Sequence, residues 1–118
     1  MRKIYHLDTC NTNKRIIKEL GGLKGFAFQN IREKNIEAAT LDALAKKTGS
    51  YESLFSRRSL KYKSLGLNEK SLSEKDYRKW ILAEYTFLKR PVIIIDKEVF
   101  VGNSPKEVAR AKAYLGLK

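Results

Sequence analysis

Along the chain, stretches in which apolar residues alternate give way to stretches in which they recur every third or fourth position, and each switch marks a new element. KIYHL (residues 3–7) is short, alternating and rich in β-formers, which predicts a first strand stopped by Asp8. Ile16, Ile17 and Leu20 then fall on one helical face, and Gly21-Gly22 supplies the stop. Thr9 or Asn11 is the expected cap of that helix, which sets Cys10 at its N-terminal edge. GFAFQNI (residues 25–31) predicts a second strand, and residues 35–49 carry Ile36, Leu41, Leu44 and Ala45 at helical spacing up to Gly49. YESLFSRRSLKYKSLGL (residues 51–67) reads as short helical turns bearing Arg57 and Arg58. From Ser71 to Lys89 one helix is predicted, with Ser71 and Glu74 as a capping box and Tyr77, Trp80, Ile81, Tyr85 and Leu88 as its apolar face. RPVIIID (residues 90–96) predicts a buried strand and VFVG (residues 99–102) its hairpin partner across Lys97-Glu98. Ser104, Pro105 and Glu107 mark the start of a last helix through Val108, Ala111 and Leu115.

The order β-α-β, helical insert, β-β-α is that of the thioredoxin fold. The expected class is therefore α/β, a three-layer α/β/α arrangement on a mixed four-stranded sheet, in a single domain over residues 1–118 with a helical insert at about 35–89. No linker, repeat or low-complexity tract interrupts it. With 42% apolar and 32% charged residues the chain has enough to build a core, and disorder is not expected. No apolar run approaches the ~20 residues a membrane span needs, and MRKIYHLD lacks the apolar region of a signal peptide. A single cysteine makes no internal disulfide, so the expected setting is a reducing cytoplasm. The net charge of +12 comes mostly from lysines interleaved with acids. The densest cluster, SRRSLKYK (residues 56–63), is short and no nucleic-acid motif accompanies it, so a solvated basic surface is expected rather than direct nucleic-acid contact.

Candidate chemistry centres on HLDTCNT (residues 6–12), which holds the only histidine and the only cysteine. A thiol is a weak nucleophile until it ionises. At a helix N-terminus, unpaired N–H groups and the positive end of the dipole favour the anion. Asn11, Thr12 and Asn13 add polar donors there, and Lys14 and Arg15 add positive charge. The plainer alternative is that Cys10 is a small buried filler, the common fate of a lone cysteine; the polar residues on both sides of it argue for the reactive reading. His6 has a structural reading, as a hydrogen-bonded strand residue, beside a role in poising the thiol. One Cys and one His do not make a metal site. Arginine forks match a tetrahedral oxyanion in two-pronged fashion. Arg90, next to Pro91, and Arg57 and Arg58 are the candidates, each with a surface salt bridge as its plainer alternative.

The pieces IYHxxxC-x-T (residues 4–12), SRRSLKYKSLGL (56–67), FLKRPVIIID (87–96) and VGNSPKEV (101–108) occur in one order. In them the chain resembles the glutaredoxin-coupled arsenate reductase family, which also includes the Spx transcription regulators and the YffB-like proteins. The resemblance implies that Cys10 is the nucleophile that attacks arsenate, that His6 helps poise it, and that Asn13 stands where the reductases have a serine. It implies that Arg90 binds the oxyanion ahead of a cis proline, Pro91. Arg58 aligns with an arginine of the Spx and YffB-like members; the reductases have theirs at the position of Ser56, with Arg57 as the substitute here. The reductases also carry a third arginine after the hairpin, where this chain has Gly102-Asn103, and Spx has a second cysteine where this chain has Asn13.

Two functions follow. The first is a thiol-dependent oxidoreductase with no bound cofactor. Cys10 attacks arsenate or a glutathione-type substrate, Arg90 with Arg58 or Arg57 holds the oxyanion, and Asn11 and Thr12 line the site. Because there is no second cysteine, glutathione or another thiol is the co-substrate, followed by glutaredoxin or thioredoxin. The second is an Spx-like module that docks on the RNA polymerase α subunit without a two-cysteine switch.

Overall fold

The computed structural model describes residues 1–117; Lys118, the last residue of the expected domain, lies outside them. Along the chain the elements are β1 (Arg2–His6), α1 (Asn11–Glu19), β2 (Ala27–Asn30), α2 (Ala38–Thr48), α3 (Leu60–Ser64), α4 (Glu74–Ala83), β3 (Val92–Ile95), β4 (Glu98–Val101) and α5 (Pro105–Tyr114). Single 3-10 turns at Glu52–Leu54, Leu67–Glu69 and Tyr85–Phe87 join the shorter helices. The chain divides into two compact units, Met1–Lys34 with Arg90–Lys118, and Asn35–Lys89.

The first unit holds the whole sheet, in the order β2-β1-β3-β4. β1 runs parallel to β2, with His6 opposite Asn30, and antiparallel to β3, with Tyr5 opposite Val92; β3 and β4 form a hairpin. All four residues of β3 are buried, as a central strand covered on both faces requires. Ile4, Ile93, Ile95 and Phe100 from one sheet face pack with Ile16 of α1, Leu20 at its C-terminal cap, and Val108 and Ala111 of α5. The helical spacing and the strand alternation therefore meet in one core. A mixed sheet with the order β-α-β…β-β-α is the thioredoxin-like arrangement. Its consequence for chemistry is geometric: the C-terminal ends of β1 and β2 and the start of β3 lie along the same edge of the sheet.

The second unit is built on aromatic packing. Phe55 stacks on Phe87 at 5.0 Å between ring centres and meets Tyr77 at 4.9 Å, and Leu54, Ile81 and Leu88 are fully buried. Here the sequence expectation needs correction. The predicted helix from Ser71 to Lys89 stops at Ala83; Glu84 is extended and a 3-10 turn follows. The reason is a short bridge between Phe55 and Leu88, in which the Ser56 N–H donates to the Phe87 carbonyl at 2.7 Å and the Lys89 N–H to the Leu54 carbonyl at 2.8 Å. Those pairings need an extended chain, so Tyr85 and Leu88 leave the helix face. The capping box is also displaced. Ser73 accepts from the Asp76 N–H and Asp76 from the Ser73 N–H, while Glu74 instead accepts the Tyr51 and Glu52 N–H groups at 2.6 and 3.1 Å.

Smaller corrections apply in the first unit. β2 is confined to Ala27–Asn30, after a turn in which Leu23 and Gly25 hold positive φ of 51° and 82°. The hairpin turns at Asp96, with φ of 57°, and Lys97, so Glu98 already belongs to β4. No helix among the described residues is long and apolar enough to cross a membrane.

Candidate functional site

β1 ends at His6, and Leu7, Asp8 and Thr9 turn the chain into α1. The Cys10 N–H closes the turn on the Leu7 carbonyl at 3.0 Å, and the Cys10 carbonyl accepts the Lys14 N–H at 3.1 Å, the first bond of the helix. Cys10 is thus itself the N-cap, with an extended backbone (φ −92°, ψ 110°), in place of the expected Thr9 or Asn11. Its side chain is partly exposed and makes no cap hydrogen bond, and the first turn of α1 contains no acid. A side chain at the N-cap is stereochemically placed to meet the N–H groups of the second and third helical residues, here Thr12 and Asn13. The core-filler reading of Cys10 does not describe this position, which lies at the helix edge and outside the apolar cluster.

Asn13 is fully buried. Its Oδ1 accepts the Leu7 N–H at 3.0 Å, which ties the first turn of the helix to the loop before it. Its Nδ2 is a buried donor with no hydrogen-bond partner among the described residues. Asn11 is exposed and Thr12 partly so, both on that same first turn.

His6 presents its ring edge-on to Phe28 at 5.4 Å, and its carbonyl accepts the Ile31 N–H at 2.9 Å. Burial holds the imidazole below its ordinary pKa of 6.5, against opposing pulls from the carboxylates of Asp8 and Glu33. Asp8 is held by the far end of β2: Arg32 Nε meets one oxygen at 3.0 Å and a terminal nitrogen the other at 2.7 Å. Asn30 Oδ1 accepts the N–H groups of both Asp8 and Arg32 at 3.3 Å. The Arg32 hydrogen bonds bring the Asp8 carboxyl down to a pKa of about 2. Spacing along the chain does not flag this cluster, although a parallel β1-α1-β2 unit sets the residues after β1 beside those after β2.

The Arg90–Pro91 bond is cis, Pro91 is buried, and its carbonyl accepts the Gly102 N–H at 2.9 Å. Pro91 immediately precedes Val92, which pairs with Tyr5 near the end of β1, so Arg90-Pro91 enters β3 at the end of the sheet where β1 leads into the Cys10 loop. The structure therefore brings His6, the Cys10 loop, Asn13 and Arg90-Pro91 to one edge of the sheet. A cleft of about 340 Å³ between α1 and α5 has Arg15, Glu19 and Lys112 as its charged walls, but Cys10 is not among its lining residues. Among the described residues no group of three or more His, Cys, Asp or Glu is placed to hold a metal.

The two remaining arginines belong to the Asn35–Lys89 unit, in the turn before α3. A terminal nitrogen of Arg57 lies 2.6 Å from a Glu52 carboxylate oxygen and 2.9 Å from the Tyr77 hydroxyl, and the guanidinium lies 5.7 Å from the Tyr77 ring centre. The Glu52 contact pushes its pKa further up. Arg57 is thus committed within its own unit. Arg58 is exposed; its backbone N–H meets Ser56 Oγ at 3.3 Å, while its guanidinium has no such partner among the described residues.

The fold matches the solution structure of an arsenate reductase (ArsC) related protein from Brucella melitensis, 28% identical, with 98% of this chain and 95% of that one covered at a TM-score of 0.69. It also matches an arsenate reductase from Vibrio cholerae, 18% identical, with 93% and 96% covered at a TM-score of 0.77, an identity at which the likeness speaks to the fold. No curated protein is a significant match. The ArsC family model matches residues 5–111, from within β1 to within α5: the chain belongs to the ArsC family.

Proposed function

We propose that this protein is a thiol-dependent oxidoreductase acting on arsenate or a closely similar oxyanion, with Cys10 as the nucleophile. The observation that carries the reading is the position of the sulfur: a partly exposed thiol at the N-cap of α1, without a side-chain cap hydrogen bond and without an acid in the first turn. Thiolate formed there is favoured by the helix dipole and the N–H groups of Thr12 and Asn13. His6, whose imidazole burial favours in its neutral form, is suited to take the thiol proton.

The thiolate attacks arsenic(V), an arsenate oxygen departs as water, and a sulfur–arsenic bond forms. A second thiol of the glutathione class then attacks the Cys10 sulfur. The sulfur–arsenic electron pair passes to arsenic, giving arsenic(III) and a mixed disulfide on Cys10. The two electrons thus come from two thiols, and a further thiol, carried by glutaredoxin or thioredoxin, restores Cys10. With a single cysteine in the chain, that thiol is external. Arg90, beside the cis proline, is suited by its fork to the oxyanion. Arg57 is engaged by Glu52 and Tyr77 within the Asn35–Lys89 unit.

The test is arsenate reduction with glutathione and glutaredoxin, comparing the protein with Cys10→Ser. Turnover in the first and none in the second is expected. Equal rates, or no arsenate-dependent turnover at all, overturn the proposal.

A further inference from the structure

The loop that presents Cys10 also carries a carboxylate two residues earlier. The Cα atoms of Asp8 and Cys10 are separated by no more than about 7 Å, and a bare anion at such range opposes ionisation of a thiol. Asp8 is not bare. Arg32 grips both its oxygens, at 3.0 and 2.7 Å, and Asn30 Oδ1 accepts the backbone N–H of each partner. The pairing of His6 with Asn30 sets the level: Asp8 and Arg32 stand two residues past that pair, just beyond the ends of the neighbouring parallel strands.

We infer that Arg32 is a charge-masking positioning residue for Cys10: its guanidinium neutralises Asp8 and holds that carboxylate toward the end of β2, leaving the α1 N-terminus to act on the sulfur without a competing anion. This rests on Cys10 working as a thiolate. The charged and titratable groups on the elements around the loop are Arg2, Lys3, Tyr5 and His6 on β1, Asp8 in the loop, Lys14, Arg15, Lys18 and Glu19 on α1, Arg32, Glu33 and Lys34 after β2, and Arg90 before β3. Asp8 is the anion closest to Cys10 in the chain, and it is the one that is clamped.

The two halves of the pair act on the thiol with opposite sign, which a purely structural clamp would not do. The pH dependence of Cys10 alkylation by iodoacetamide reads this directly, because the chain has one cysteine. Arg32→Met bares the carboxylate, so the thiol titrates higher and alkylation at pH 7 slows roughly three- to tenfold at low salt. Asp8→Asn removes the anion, so the thiol titrates at or below the wild-type value. The double variant follows Asp8→Asn, and added salt shrinks the Arg32→Met effect because the pair is about 40% exposed. Thermal melts accompany each variant. If Arg32→Met does not fold, Arg32→Lys, which keeps the charge without the fork, is expected to give a smaller shift in the same direction. Two single variants that both raise the titration point, or an Arg32 variant that leaves a depressed thiol unmoved, overturn the mask alone. A wild-type thiol titrating near the ordinary ~8.5 overturns the thiolate reading and the mask with it.

Discussion

α1 and α5 pack on the same face of the sheet and begin in opposite ways. α5 opens on Ser104, whose Oγ accepts the Glu107 N–H at 3.1 Å; Pro105 fills the first helical position, and the Glu107 carboxylate accepts the Val101 N–H at 2.9 Å. Its free donors are met from within the chain and its dipole by its own acid. α1 opens on Cys10, which closes no such bond, and no acid stands in its first turn. A filled start gains about 1 kcal/mol from its cap and leaves little for an external anion. An open start forgoes that stability and keeps its N–H groups for the sulfur and whatever the sulfur binds. Within one small unit, the contrast separates a helix end serving the fold from one serving chemistry.

The variants that test this contrast fall in order of expected effect. Cys10→Ser comes first: arsenate reduction drops to background, yet chemical denaturation finds the protein more stable by roughly 0.5–1 kcal/mol, because serine caps where cysteine does not. Loss of activity with gain of stability is the signature; a destabilised serine variant would mean that α1 was never open. Asn13→Ala strands the buried Leu7 N–H and is expected to cost about 1–3 kcal/mol in urea unfolding. Ser104→Ala is the control at the other helix, losing about 1 kcal/mol with the reduction rate unchanged. Asn11→Asp makes α1 resemble α5; its acid in the first turn stabilises the helix by about 0.3–1 kcal/mol and raises the titration point of Cys10.

The smallest effect is in the pH dependence of stability. His6 is held below 6.5 by burial, so the unfolded chain takes up its proton first. Its contribution is complete above pH 6.5 and is lost as pH falls through that value toward the lowered folded one. His6→Gln should flatten this slope in melts between pH 7 and 5. The Asp8 contribution is lost in a separate window, as pH falls from 3.8 to about 2, and Arg32→Met should abolish it.

Much of this was legible from residue order. The alternation in KIYHL, the 3.6-residue period around Ile16 and Leu20, and the Ser104-Pro105 start each report a local preference that the tertiary core accepts. The long helix to Lys89 misled because periodicity cannot weigh a competing partner: Tyr85 and Leu88 sit at helical spacing, but the chain there pairs with residues 54–56. The capping box at Ser71 misled for a like reason, since Glu74 has the backbone of Tyr51 and Glu52 to serve. Residue order does not pair Asp8 with Arg32, because 24 residues separate them and only the parallel strands bring them side by side.

The amino-acid sequence by itself determined the order of strands and helices, the placement of a lone cysteine at a strand-to-helix turn, and the absence of a second thiol to resolve it. Only the tertiary structure decided that Cys10 is the cap, that Asn13 is buried with one half of its amide engaged, that Arg57 is occupied by Glu52, and that Arg32 covers Asp8. The reason is range. Backbone preference and apolar period act over a few neighbouring residues, whereas hydrogen bonds and ion pairs depend on which distant groups the fold sets within about 3 Å of each other.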